Sequence, residues 1–337
     1  MLGRLGIGFI GHPYSVEDII DHVKKAELAG FESAWVSEEC FLRDPITIVA
    51  GLALSTVSMK LGTGVINPYT RNPVSVAQTI ATLDEISHGR MILGIGTGVG
   101  PLIKQMGIEF EKPLTKIRES VYVIRELMAG KEVNYRGQTL NIKRIKLEAP
   151  YFKLMGEFNP LRTKIPIYVA AIGPRMLQLA GEIADGVLLT AGCSSSEVKG
   201  ALENIKIGAE KVGRDYRNID VAAYILTTLL DGKKESEVLK GFLAVFLASE
   251  GTEYLLRAGF TKDEVEHLRK TVVDKGVEGA LPLITKEIVD TFSACGNVPH
   301  CISKIKSYVQ AGVMLPIILP IDTNVKGLIS ALRDFVT

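Results

Sequence analysis

Residues 61–73 read LGTGVINPYTRNP. Leu61, Val65 and Ile66 give the first half the apolar bulk of a buried strand, which Gly62 and Gly64 interrupt before it stops at Asn67-Pro68. A glycine inside a strand marks a bulge, or a place where a ligand or another backbone comes close. The second half is polar and specific, with Asn67, Tyr69, Thr70, Arg71 and Asn72 set between two prolines. A plain strand-to-helix connector takes about 2–6 residues and needs no such chemistry. The stretch therefore reads as a strand end that forms the wall of a cofactor site.

Outward from it, short apolar segments alternate with helical ones. Strands are expected at Leu5–Ile10, Ala34–Ser37, Lys60–Ile66, Met91–Gly96, Ile165–Ala171, Asp185–Leu189, Val221–Leu229 and Pro316–Leu319. Helix signals fall between them: Ser15 with Asp18 three residues on, Asp44-Pro45, and Gly173-Pro174. The alternation pauses twice. Thr115–Ala129 reads as a helix, Glu132–Ile142 as a hairpin around Arg136-Gly137, and Lys143–Lys164 as irregular. Glu235–Ala294 reads as several helices without a strand. Eight strand–helix units favour a parallel sheet closed into a (β/α)₈ TIM barrel, with an open doubly wound sheet as the alternative. No linker divides the chain, so residues 1–337 read as one barrel domain. Insertions follow strands 4 and 7, at about 97–164 and 231–297.

With 39 basic against 38 acidic side chains the net charge is +1. That balance gives no general attraction to nucleic acid or anionic lipid. MLGRLGIGFIG enters a strand pattern without a signal-peptide profile, and no run approaches the roughly 18 apolar residues of a membrane span. A soluble cytoplasmic protein is expected. The cysteines (Cys40, Cys193, Cys295, Cys301) are scattered, and free buried thiols are the commoner case for such spacing. The five histidines show no H-x-x-x-H spacing, which disfavours a metal enzyme.

In a barrel the chemistry lies at the carboxyl ends of the strands. The first strand delivers His12, the second Glu38 and Glu39, the third Asn67, Tyr69 and Arg71, and the fourth Thr97 and Gly98. The two glutamates are acid–base candidates. Gly94, Gly96, Gly98 and Gly100 lack the G-x-G-x-x-G spacing of a dinucleotide fold, because Val99 and Pro101 stand where it needs glycine. At Ala171-Ile172-Gly173-Pro174 a strand ends, a glycine turns and a proline opens a helix. This arrangement suits a phosphate, to which Arg175 adds charge, although an ordinary barrel turn would look the same.

GTGVINPYTRNP (62–73), TLDEISHGRMILGIGTG (82–98), IPIYVAAIGPRMLQLAGEIADGVLLTAG (165–192) and IDVAAY (219–224) together resemble the bacterial-luciferase-like superfamily of flavin and deazaflavin enzymes. Within it the chain is most similar to the coenzyme F420-dependent methylenetetrahydromethanopterin reductases. The resemblance implies a (β/α)₈ barrel whose third strand carries a cis peptide at Gly64–Val65, with the deazaflavin ring against Gly64, Val65, Ile66 and Asn67. It puts the cofactor phosphate near Gly173, Pro174, Arg175 and Met176, with Thr190, Ala191 and Gly192 alongside. His12, Tyr69 and Arg71 are then substrate candidates, and a homodimer or homotetramer acting on a small molecule of one-carbon metabolism is implied. The sequence departs from the family at two places: Gly8 replaces a first-strand acid, and Val99 replaces an Asp after the fourth strand. FMN as the cofactor of a monooxygenase, or a binding protein without turnover, are the alternatives.

Overall fold

The computed structural model describes residues 3–39, 41–148, 158–230, 237–321 and 324–336. In chain order the strands are β1 (Gly6–Phe9), β2 (Ser33–Val36), β3 (Lys60–Thr63), β4 (Met91–Ile95), β5 (Val133–Arg136), β6 (Asn141–Ile145), β7 (Ile167–Ala170), β8 (Gly186–Leu189), β9 (Asp220–Leu229), β10 (Ser293–Gly296) and β11 (Leu315–Pro320). β1, β2, β3, β4, β7, β8, β9 and β11 follow one another round a closed parallel barrel, and β11 pairs back onto β1. These are the eight strands expected from the sequence. The open doubly wound sheet is thereby excluded.

Helices cover the barrel: α1 (Val16–Leu28), α2 (Pro45–Ser55), α3 (Pro73–Ile86), α4 (Gly100–Gln105), α5 (Pro113–Met128), α6 (Pro174–Ile183), α7 (Val198–Lys211), α8 (Glu237–Ser249), α9 (Thr252–Arg257), α10 (Lys262–Ala280), α11 (Lys286–Phe292), α12 (Val298–Ala311) and α13 (Val325–Val336). Their starts follow from local chemistry. Ser15 and Asp18 form a reciprocal capping box on α1. Asp44 and Asn72 accept the free amides of Thr47 and Val74, and each is followed by a proline at the first helical position.

Alternation along the strands divides the apolar core into two layers. Leu5, Ile7, Phe9, Leu61, Leu93 and Val187 face the surrounding helices. Trp35, Tyr168, Leu188, Tyr224 and Ile317 fill the barrel itself. The amino end of the barrel is closed by ions. Arg4 forks onto Glu32 and Asp220 at 2.6 and 2.7 Å, and the Tyr168 hydroxyl donates to Asp220.

The two excursions differ from their reading in detail. The first contains the antiparallel pair β5–β6, with β6 running to Ile145, three residues beyond the expected end of the hairpin. Its turn amides at Gln138 and Thr139 donate to the buried Glu119 carboxylate of α5. Residues 149–157 of the expected irregular segment lie outside the described residues. The second excursion, from residue 237 onward, is helical as expected but ends in β10, which the sequence reading missed; residues 231–236 lie outside the described residues. β10 pairs with Leu226–Leu229, on the edge of β9 whose first four residues pair with β8. Just beyond, the Leu230 amide donates to the Gly296 carbonyl at 2.9 Å. Ser-Ala-Cys-Gly has too little apolar bulk to signal a strand; its pairing is set by the neighbouring ladder.

Candidate active site

The regular ladder of β3 ends at Thr63, and pairing resumes only at an isolated bridge between Ile66 and Ile95. The backbone between is a bulge with a cis peptide at Gly64–Val65, the bond the resemblance implied. Backbone bonds fasten it to β2 and β4. Gly64 donates to the Val36 carbonyl at 2.7 Å, Glu38 to the Val65 carbonyl at 3.1 Å, and Ile66 to the Gly94 carbonyl at 3.0 Å. The glycines that drew attention in the sequence serve close packing. A Cβ at Gly62 would lie 2.2 Å from the Trp35 ring, and one at Gly64 would lie 1.8 Å from the Tyr224 hydroxyl. Gly96, in turn, leaves room for Val65.

The two glutamates beside the bulge have separate fates. Glu38 is committed on both oxygens: Oε1 accepts from Arg71 Nε at 2.9 Å, and Oε2 from the Asn67 amide at 2.7 Å. A carboxylate bound to a guanidinium and an amide in this way braces the loop that carries Asn67. Glu39 is exposed on the loop after β2 and lies within electrostatic reach of Tyr224 inside the barrel. Partial desolvation by the surrounding protein pushes its carboxyl up to about 7.

The substrate candidates are also redistributed. Arg71 bridges Glu38 and Asp44, so its charge is spent on holding two loops together. Tyr69 donates its hydroxyl to the Glu111 carbonyl, and its ring packs on Phe110 with centroids 4.8 Å apart. Both residues brace the mouth. His12, exposed at the end of β1 before a cis proline, keeps its place at the rim. Asn67 ties the bulge to the fourth strand's loop, donating Nδ2 to the Thr97 carbonyl at 2.8 Å, with Gly98 packed against its amide.

On the opposite side of the mouth lies a cavity of about 390 Å³, lined in part by Ala171, Ile172, Pro174, Thr190, Tyr254 and Arg257. The Thr190 hydroxyl oxygen is buried with no hydrogen-bond partner among the described residues. An orphaned hydroxyl beside the amino end of α6 suits a phosphate, whose charge the helix dipole favours. Gly173, Arg175 and Met176 belong to the same turn without lining the cavity; Arg257 is the cation that does. Ala191 is half-buried in the apolar wall, which also includes Ile10, Val65, Ile172, Phe242 and Phe246. Gly192 is covered by the Phe246 ring and accepts a hydrogen bond from Tyr254 through its carbonyl. A larger cavity of about 590 Å³, with Arg125, Lys164 and Asp185 in its wall, lies at the amino end of the barrel, where such folds do not place their chemistry. Sequence reasoning missed Arg257 and Tyr254, since nothing in the periodicity of the second excursion ties it to the mouth.

This barrel, bulge and mouth match a known pattern. A family model described as Luciferase-like monooxygenase matches residues 7–315. The chain belongs to that family. The luciferase-like chain is 37% identical over 298 residues to a 5,10-methylenetetrahydromethanopterin reductase of Methanolobus tindarius, covering 88% of this chain and 87% of the relative. It is 35% identical to the protein of the same name from Archaeoglobus fulgidus, covering 87% and 86% of the two chains. The solved coenzyme F420 dependent tetrahydromethanopterin reductase from Methanopyrus kandleri superposes with a TM-score of 0.86 at 28% identity, over 99% of this luciferase-like chain and 98% of that one. Among the described residues no helix is long and apolar enough to cross a membrane.

Proposed function

We propose that this chain is an F420-dependent oxidoreductase that moves a hydride between the deazaflavin and the methylene carbon of a methylenetetrahydropterin. The carrying observation is the bulge at Gly64–Asn67, anchored to β2 and β4, facing an apolar mouth, with Glu39 on the loop after β2. The names of the relatives and of the Methanopyrus kandleri structure support the same reading.

Thr190, the amino end of α6 and Arg257 would hold the phosphate end of the cofactor, and Gly64–Asn67 would back its ring. When bound, the deazaflavin supplies or accepts the hydride. The chain's own work is to orient and to manage a proton. Glu38, Arg71 and Asp44 fix the loop that carries Asn67, and the apolar wall excludes water from the mouth. Reducing a methylene bridge to a methyl group breaks one C–N bond, and the released nitrogen must gain a proton. Glu39, half protonated near neutral pH, is the group suited to give it.

Purified protein mixed with reduced F420 and methylenetetrahydromethanopterin should oxidise the deazaflavin in a single turnover, and mass spectrometry should identify F420 as the bound chromophore. Failure to bind F420 at micromolar concentration, or exclusive binding of FMN, overturns the proposal. We read the whole chain as one barrel domain with two insertions, soluble and cytoplasmic, and self-associating as a homodimer or homotetramer. Support for association comes from α2, which carries no charged residue, and from Leu28, Leu54 and Val57, all largely exposed. A monomer by sedimentation at micromolar concentration refutes that part.

A further inference from the structure

We infer that Ser37 and Tyr224 are positioning residues that together hold the Gly64 carbonyl, and that Tyr224 fills the space left where β1 has Gly8 instead of a side chain. This rests on the proposed ring site at the bulge and adds the residues that fix its backbone.

The Gly64 carbonyl lies beyond the last regular residue of β3 and before pairing resumes at Ile66. A buried carbonyl outside a ladder has to find donors elsewhere. Here two side chains supply them. Ser37 Oγ donates to it at 2.6 Å, and the Tyr224 hydroxyl donates to it at 2.9 Å from across the barrel, 160 residues away in sequence. Tyr224 is 6% exposed, so its hydroxyl has little water to turn to. Phenylalanine would fill the same space, which leaves the hydrogen bond as the reason for a phenol here.

The ring fits because two strands lack side chains where it passes. A Cβ on Gly8 would fall 2.6 Å from Tyr224 Cε1, and one on Gly64 would meet the hydroxyl itself. Any side chain at position 8 would have to displace Tyr224. Through the held carbonyl, Tyr224 and Ser37 fix the direction of Val65, which is half-buried in the apolar wall, and of the Ile66 and Asn67 amides that follow.

The test uses full-length Tyr224→Phe, Ser37→Ala and the double variant. In ligand-free protein, amide hydrogen exchange at Ile66 and Asn67 should speed up about fivefold in each single variant and about 20-fold in the double, with the central barrel strands unchanged. Fluorescence titration with F420 should show dissociation constants raised by similar factors, with kcat changed less than KM. Unchanged exchange at Ile66 and Asn67 in the double variant overturns the inference, whatever cofactor the protein binds. A general rise in exchange throughout the barrel also overturns it, since that marks a merely structural role. Wild-type protein that fails to bind F420 while the exchange result holds refutes the proposed function and leaves the positioning role standing.

Discussion

Replacing Glu39 by glutamine removes a proton from the site while keeping the side chain's size and polarity. In the fold this carboxyl is pushed up to about 7 by partial desolvation among the surrounding protein, from an ordinary carboxylate value of 4.5. At pH 7 about half the molecules carry the proton, whereas an ordinary glutamate would be almost fully ionised. Positioned proton transfer contributes about 10²–10⁴-fold to a rate. Glu39→Gln should therefore lower kcat at pH 7 by about 100-fold or more, while the F420 dissociation constant moves less than about threefold. The wild-type rate should fall as pH rises through about 7, since the acid form is the donor, and the variant should lose that limb. Stability carries the matching sign. The folded chain holds this proton more tightly than the unfolded one, so the contribution is complete below pH 4.5 and is lost as pH rises through about 7. The assay is single-turnover oxidation of reduced F420 followed by absorbance from pH 5 to 9, alongside chemical unfolding at the same pH values. A variant that keeps the limb near 7 and stays within threefold of wild-type kcat refutes the reasoning.

Glu38→Ala should act differently, costing about 1–3 kcal/mol in urea unfolding, because it leaves the Asn67 amide without its acceptor and Arg71 with Asp44 alone. Its rate–pH limb should stay where Glu39 sets it. Gly8→Ala should destabilise by about 1–3 kcal/mol through overpacking against Tyr224, and the same change in a Tyr224→Ala background should cost less, a coupling measured by a double-mutant cycle. Thr190→Val removes a hydroxyl that is buried without a partner among the described residues, so the ligand-free protein should melt no lower than wild type. F420 binding should nonetheless weaken about fivefold, the loss of roughly 1 kcal/mol, as read by fluorescence titration.

The barrel was legible because its strands are apolar on both faces and several are followed by a helix start with its own cap or proline. Position along that alternation was enough to bring 38–39, 64–67, 97–98, 171–176 and 190–192 to one mouth. What side chains do once there was not legible. Glu38 and Glu39 are adjacent and chemically identical, and only the loop carrying Arg71 decides which of them is bound on both oxygens. The glycines of β3 suggested a ligand or backbone freedom, whereas their immediate cause is Trp35 and Tyr224, residues 27 and 160 positions away that no local pattern connects to them. Tyr224 itself left a faint signal, a lone aromatic within the strand Asp220–Leu229 just after the small residues Ala222 and Ala223. Short β10 left less, because its pairing belongs to the upper half of β9.

That pairing has an architectural consequence. The excursion leaves the barrel after Leu229 and returns along the same edge of β9, and its two ends are clipped by the bond from Leu230 to Gly296. Departure and return are thus one point on the scaffold, so whatever chain lies between behaves as an exchangeable cassette. Loop-closure cost grows only slowly with length. A relative's excursion of different length or composition, grafted between Leu230 and Ser293, should leave the barrel's closure intact while rewriting the wall that Phe246, Tyr254 and Arg257 present to the mouth.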